Sequence, residues 1–426
     1  MSNKSQTVKK AKVFYADLWG LRKEKYKFLE KKDIANTDWQ KLDPKEPQNF
    51  FVSKDFSEEE KYQRYFSLGE IFIKFNAGIA TGKDDILTAF SKENLQRKLD
   101  ISNKQIFELD MNQNKVERKL IEKWYEEIKK SDIGGQIRNY DYRPFDNRYI
   151  FYNPRVLQRA RDVIMKNMLQ ENLSLLCMRQ YMYSAPYSHA FVSKELSDRR
   201  IFISNRGAAH VFPLYIYDGK ENQYDLFLPA DSSGKMVNFK QPFLDFIDKN
   251  LISQDPLKRK IFYEEILYYI YAVLYSNTYR EKYQEFLKID FPRIPITSDY
   301  ELFKKFAELG EELVNLHLLK AKELDKPVIK FQGKDGNLVE KREYENKRVY
   351  INASQYFEGI GENIWNYYIG GYQVLDKWLK DRKGKILSSD DIKHYCKVIT
   401  ALSETIKLQS QIDSLYPNIE RSLTKQ

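Results

Sequence analysis

Arginine is the residue whose placement in this chain most directly suggests a chemistry. Ten of its 21 arginines fall between residues 138 and 217: Arg138, Arg143, Arg148, Arg155, Arg159, Arg161, Arg179, Arg199, Arg200 and Arg206. Basic residues elsewhere are mostly lysine, so the local switch needs a physical reason. A guanidinium is a planar fork that binds phosphate or the O6/N7 edge of guanine through two hydrogen bonds and stacks on aromatic rings, which an ammonium does poorly. The same window carries twelve basic side chains against six acidic ones (Asp141, Asp146, Asp162, Glu171, Glu195, Asp198), a net of +6 within a chain total of +10. Such a patch is the usual footprint of nucleic-acid binding, through phosphate neutralisation and counterion release. The competing reading is internal, with the carboxylates pairing to the arginines and holding loops in place.

Other constellations fail on spacing. AGIATGKDD invites a phosphate-loop reading, but three residues rather than four separate Gly78 from Gly82, and Asp84 rather than Ser or Thr follows Lys83. GIGENIW and YIGGYQV have the wrong glycine spacing for a dinucleotide fingerprint and read as turns. Glu59 to Lys61 forms a bare acidic-x-lysine pair without a well-placed preceding Asp, and Asp146 in RPFDNR reads better as a clamp for Arg143 or Arg148 than as a catalytic acid. The four histidines (His189, His210, His317, His394) are scattered, with no Cys or His at ligand spacing, so no metal is expected. There is no nucleophile elbow and no zinc-hydrolase motif. No residue is assigned a catalytic role.

The elements that must position these arginines follow from periodicity. IRNYDYRPFDNRYIFYN reads as two aromatic strands about a Pro144 turn, DVIMKNMLQ as a helix turning Val163, Met165 and Met168 inward, and LSLLCM, HAFVS, RIFIS and VFPLYIY as further strands. Most of the aromatic residues are expected in the core, since strands favour them. Residues 116–130 have the spacing of an amphipathic helix. After a polar linker near 218–240 the pattern becomes helical, with apolar stripes through Ile266, Tyr269, Ile270, Val273 and Leu274 and through Leu302, Phe306, Leu309, Leu313, Leu316 and Leu319. A polar hairpin insert around Gly333 and Gly336 follows. A last helix opens at Ser388, with Asp391 completing a capping box.

At 426 residues two or three domains are expected. The reading is an α+β chain: a basic tail and connecting helix over 1–44, a mixed-sheet α/β domain over 45–240, and a mainly helical domain with a small β insert over 241–426. No run of 18 apolar residues and no signal-peptide pattern occurs, and Cys177 and Cys396 lie far apart, so a cytoplasmic protein without disulfides or membrane contact is expected.

Several long segments, in one order, resemble a known family. They are YRPFDNRYIFYNPRVLQRARDVIMKNM, NLSLLCMRQ, FVSKELSDRR, VFPLYIY, YAVLYSNTYREKYQEFLKIDFPRIPIT, GEELVNLHLL and GGYQVLDKWLKDRKGKILSSDDIKHY, with GIATGKDD upstream. From about residue 13 to about 413 the chain is similar to the C-terminal specificity region of Type ISP restriction-modification enzymes. Members of that family join a nuclease, an ATP-driven translocase, an adenine-N6 methyltransferase and a target recognition domain in one chain. The [DNS]-P-P-[YF] motif of the methyltransferase and the helicase motifs do not occur in this sequence.

The resemblance therefore implies a specificity subunit, or a fragment of a larger enzyme, that reads double-stranded DNA for a DNA methyltransferase or restriction partner. S-adenosylmethionine and ATP/Mg would belong to partner domains, with no cofactor in this chain. Supply of part of a methyltransferase site in trans, and an interaction remnant that no longer binds DNA, remain as alternatives. Arg179 and Gln180 are candidates for reading guanine and adenine, and Arg199, Arg200 and Arg206 for base or phosphate contacts. Arg143, Arg148, Arg155, Arg159 and Arg161 are candidates for phosphate positioning, with pairing to Asp141 and Asp146 as the rival role. Thr81, Lys83 and Asp84 are candidates for the methyltransferase junction or the backbone near the target base.

Overall fold

The computed structural model describes residues 11–100 apart from 45, 47 and 48, then 124–181, 186–203, 207–217, and 234–423 apart from 254, 256, 258 and 328. They divide into two compact units, one up to Glu58 and one from Glu59 onward. In the smaller unit strand Val13–Tyr15 pairs antiparallel with Gln40–Leu42, and helix Arg22–Lys31 lies between them in sequence.

The larger unit is α+β, and two four-stranded sheets carry most of the arginine window. The first runs in the order Leu196–Ser197, Ile137–Arg143, Asp146–Phe151, Thr88–Ala89; its first pair is parallel and the others antiparallel. Its two long strands are the hairpin expected around Pro144. Phe145 takes a left-handed backbone there (φ 60°), and its ring is buried between Phe191 and His317. The second sheet is antiparallel, ordered Asn76–Ala77, Ala209–Pro213, Ser174–Met178, Ala190–Ser193. Every residue of Ser174–Met178 is buried, which explains a continuous apolar run in place of alternation.

The helices behave as their stripes require. Tyr263–Tyr275 packs on Tyr300–His317, and the two backbones approach so closely at Gly310 that a Cβ there would collide with the Tyr268 carbonyl. The 33-residue helix Ser389–Arg421 is opened by the expected capping box: Ser388 Oγ accepts from the Asp391 amide (3.1 Å), and the Asp391 carboxylate accepts from the Ser388 amide (2.9 Å). The polar insert is a four-stranded antiparallel sheet rather than a single hairpin, built from Lys330–Gln332, Glu343–Glu345, Arg348–Tyr350 and Tyr356–Glu358. Buried tyrosines supply much of the core and spend their hydroxyls inside it, Tyr65 on Tyr283 (3.0 Å), Tyr269 on Pro295 O (2.8 Å) and Tyr279 on Arg293 O (2.7 Å).

Two local expectations fail for identifiable reasons. RIFIS is not a strand as far as it is described: the Asp198 carboxylate accepts from the Arg200 amide, Ile201 N bonds back to Asp198 O (3.1 Å), and the chain turns. Ile201 and Phe202 are nevertheless buried, because Phe202 packs against Gly370 and Ile203 N donates to Gly370 O (2.7 Å). The helix in DVIMKNMLQ is one α turn, Asp162–Met165, continuing as a 3-10 turn, Lys166–Leu169; it buries Ile164, Met165 and Met168 and leaves Val163 exposed. Residues 116–123 of the expected amphipathic helix and 218–233 of the linker lie outside the described residues.

Candidate nucleic-acid interface

The segment Gly78–Thr81 runs as a strip between two arginine-bearing stretches. Ala80 exchanges backbone hydrogen bonds with Arg159 (3.0 and 2.9 Å), and Gln158 N donates to Thr81 O (3.2 Å). On the other edge Ile79 N donates to Ser197 O and Arg199 N to Ile79 O, both at 2.9 Å. Gly78 is required for this approach, since a Cβ there would sit 2.7 Å from the backbone of Ser197, Asp198 and Arg199. Gly82, at φ 84°, then turns the chain into the short helix Asp84–Leu87.

This lacing brings Arg159, Arg161 and Arg199 together from positions up to 40 residues apart in sequence. Arg159 is exposed; Arg161 is half-buried, at a left-handed turn (φ 57°). Burial, then the neighbouring charges of Arg159 and Arg199, push the Arg161 pKa down. The Nε atoms of Arg161 and Arg199 are buried without a hydrogen-bond partner, and none of the three arginines forms an ion pair among the described residues. His210 extends the patch: burial lowers its pKa first, and the charges of Arg179 and Arg161 lower it further. Like charges gathered without carboxylates repel one another and are relieved by an anion.

Arg179 and Gln180 lie beyond the end of strand Ser174–Met178 and are exposed. The Arg179 fork rests on the Asp290 carboxylate (Nε–Oδ1 2.8 Å, Nη2–Oδ2 3.4 Å), and Gln180 Nε2 donates to Ile289 O (3.0 Å). Arg155 is exposed, 3.6 Å from Glu127, and Arg200 is exposed with its carbonyl accepting from Tyr372 (3.3 Å). Arg206 lies outside the described residues. Thr81 is buried and gives its hydroxyl proton to the Asp84 carboxylate, which also accepts from Tyr142 (3.0 Å); Lys83 is half-buried.

Arg143 and Arg148 are placed differently, turned into the protein. Arg143 pairs with Asp198 (3.3 Å) and lies over the Tyr142 ring. Asp146 clamps Arg148 through Nε and Nη2 (3.1 and 2.7 Å) and also holds Arg382 (3.0 Å), while Arg148 reaches Asp381 (3.0 Å). Burial alone would raise the Asp146 carboxyl; Arg382 and Arg148 reverse this and hold it below the usual range. Among the described residues Asp141 pairs with no arginine: Ser193 and Asn147 donate to it, and burial pushes its pKa up to about 7. Sequence reasoning missed Asp290, Asp381 and Arg382, because no spacing links them to the arginine window, and it left His210, inside that window, without a role. Among the described residues no cluster of His, Cys, Asp and Glu could hold a metal ion, and both cysteines are free and buried.

The sequence model of the Type ISP C-terminal specificity domain matches residues 70–411. The chain belongs to that family. The match begins some way inside the span of the sequence resemblance, which started near residue 13. Among curated proteins no sequence match is found. Three solved structures share the fold. A nuclease-deletion mutant of the Type ISP restriction-modification enzyme LlaGI in complex with a DNA substrate mimic superposes with a TM-score of 0.67 at 20% identity, covering 94% of this chain and 39% of that one. The ATP-dependent Type ISP enzyme LlaBIII bound to DNA gives 0.66 at 20%, over 89% of this chain and 26% of that one. A DrdV–DNA complex gives 0.72 at 18%, over 94% and 43%. This Type ISP specificity domain thus spans less than half the length of each of those chains. No described helix is long and apolar enough to cross a membrane.

Proposed function

We propose that this Type ISP specificity domain recognises a specific double-stranded DNA sequence and directs an adenine-N6 methyltransferase or restriction partner to it. The observation that carries the reading is the group of Arg159, Arg161 and Arg199 on the Gly78–Thr81 strip, which forms no ion pair among the described residues, with orphaned guanidinium Nε atoms at Arg161 and Arg199 and a neighbouring imidazole whose pKa is lowered. These three arginines, with exposed Arg155 and Arg200, contact phosphates. Arg179 and Gln180 read base edges, Arg179 exchanging Asp290 for the acceptor pair of guanine. An exposed ion pair is worth at most about 1 kcal/mol, so Asp290 is readily displaced. Arg143 and Arg148 position the strands and leave DNA to the others. Thr81 and Lys83 support the strip from within, and the methyl donor, ATP and Mg belong to partner domains.

The test is fluorescence anisotropy with duplex DNA over a salt series. Each of Arg159→Gln, Arg161→Gln and Arg199→Gln is expected to weaken binding to all sequences and to make the log K against log salt slope shallower by about 0.9. Arg179→Ala is expected instead to relax preference at one base pair, a loss of about 1–3 kcal/mol for the cognate site with little change in slope. An unchanged slope in all three glutamine variants would sink the reading.

A further inference from the structure

A cavity of about 610 Å³ lies next to the arginine strip: no residue of the strip lines it, but Asp84, which does, accepts the hydroxyl proton of Thr81. Three cations from two distant stretches reach its wall. Arg97 and Lys98 come from helix Lys92–Leu99, and Lys385 from the segment ahead of helix Ser389–Arg421. None of the three forms an ion pair among the described residues. Their donors are not used up. Arg97 is exposed and gives one N–H to Asn94 Oδ1 in its own helix, so most of its five stay open. Lys98 Nζ donates to Asp85 O (2.7 Å) and Thr88 O (2.9 Å), which leaves one of the three hydrogens of the ammonium. Lys385 is exposed; its Nζ lies 3.6 Å from the Phe90 ring centre and makes no hydrogen bond among the described residues.

The field at this cavity is positive. Four cations line it, Arg148 being the fourth, against two carboxylates, Asp84 and Asp85. The Phe90 ring also carries Arg148 at 4.4 Å and Arg382 at 4.7 Å, both held by Asp146. Burial first, then the charges of Arg148, Arg382 and Lys98, pull the Lys385 pKa down against the opposing charge of Asp146. Burial lowers Lys98 as well; Asp85 opposes the shift and Arg148 adds to it. The Asp84 carboxylate faces inward, accepting from Thr81 and Tyr142, and Asp85 is exposed. A phosphate group suits such a site, because its charge lies on several oxygens that donors from separate segments can share.

We propose that this cavity binds a phosphate group between Arg97, Lys98 and Lys385, and that on bound DNA it holds a backbone phosphate beyond those met by the arginine strip. The DNA half rests on the recognition reading above; the phosphate half does not. A free phosphorylated compound is the other source of the same chemistry. In the first arm inorganic pyrophosphate is titrated calorimetrically into the full chain at low salt. One saturable site is expected, weakened about tenfold or more by the double substitution Arg97→Gln with Lys385→Gln, and tightened about two- to fivefold by Asp85→Asn, which removes a negative charge from the lining. Arg97 and Lys385 are exposed and pair with no carboxylate among the described residues, so the double variant is expected to fold, and its melting is read in parallel.

In the second arm duplex DNA is bound over a salt series. Each of Arg97→Gln and Lys385→Gln is expected to make the log K against log salt slope shallower by about 0.9 on every sequence, with Lys385→Arg keeping the parent slope. Shallower slopes assign the site to a DNA phosphate. Pyrophosphate binding that the double variant weakens, with DNA slopes unchanged, assigns it to a free phosphorylated compound. Either result supports the phosphate site. Pyrophosphate binding that is absent or indifferent to the double substitution, together with unchanged DNA slopes, overturns it. The parent chain is read in the same series, so that failure is distinct from a failure of DNA recognition, in which the parent binds no duplex and the first arm alone decides.

Discussion

A guanidinium that cannot shed its proton must find an acceptor, and two arginines 11 residues apart here find theirs in opposite directions. Arg148 is satisfied inside the protein by Asp146 and Asp381, whereas Arg159 meets solvent beside two like charges. Asp146→Ala leaves Arg148 with Asp381 alone and takes from Arg382 its nearest carboxylate. Removing one partner of a buried ion pair costs about 3–5 kcal/mol, so a large drop in the urea midpoint at unchanged m is expected. The even balance between scaffold and phosphate roles that the sequence left for Arg143 to Arg161 is divided by geometry. The sequence supplied only the local half of that division, Asp146 as a clamp two residues from Arg148, since Asp381 lies 233 residues away.

Two buried titratable groups give opposite pH dependences. His317 lies between the hydroxyls of Tyr271 (2.6 Å) and Thr405 (2.9 Å), and burial, with Arg280 adding, pushes its pKa down to about 3. The unfolded chain then binds the extra proton more readily, so the contribution of His317 is complete above about pH 6.5 and is lost as pH falls towards 3. Asp141, raised to about 7, works in reverse: its contribution is complete below about pH 4 and is lost as pH rises to 7. Relative to wild type, His317→Gln should gain stability from pH 7 to pH 4 and Asp141→Asn from pH 4 to pH 7, each by at most on the order of 4 kcal/mol. Urea midpoints across that range check both signs.

At the scale of elements, what was legible is what depends on neighbours in sequence. The hairpin about Pro144, the capping box at Ser388 and the buried faces of Tyr263–Tyr275 and Tyr300–His317 all follow from spacings of a few residues. Ser388→Ala should cost about 1 kcal/mol in a melt. RIFIS misled because its apolar residues are buried by a remote turn, Gly370, rather than by a sheet. Gly78 and Gly310 are tight for the same long-range reason. Gly78→Ala is expected to force residues 197–199 off the strip, destabilising by about 1–3 kcal/mol and weakening DNA binding in proportion to the displacement of Arg199. Anisotropy and melting of this one variant should therefore fall together, unlike Arg199→Gln, which should leave melting unchanged.

For the whole molecule, family membership and the α+β character were legible from long motifs in one order, while the arginine face proposed to meet DNA was not. That face depends on which segments lie side by side. Residues 78–81 draw 158–161 and 197–199 together, and residues 289–290 are brought to Arg179. The knot of Asp146, Arg148, Asp381 and Arg382, covered by the Phe90 and Trp378 rings, ties the sheet that holds Asp146–Phe151 to the segment leading into the long C-terminal helix. A new DNA specificity therefore cannot be inherited by exchanging residues 70–217 alone. Recombinants that bring in a foreign 70–217 must bring the matching 374–391 with them, or leave charges in the core with strangers for partners.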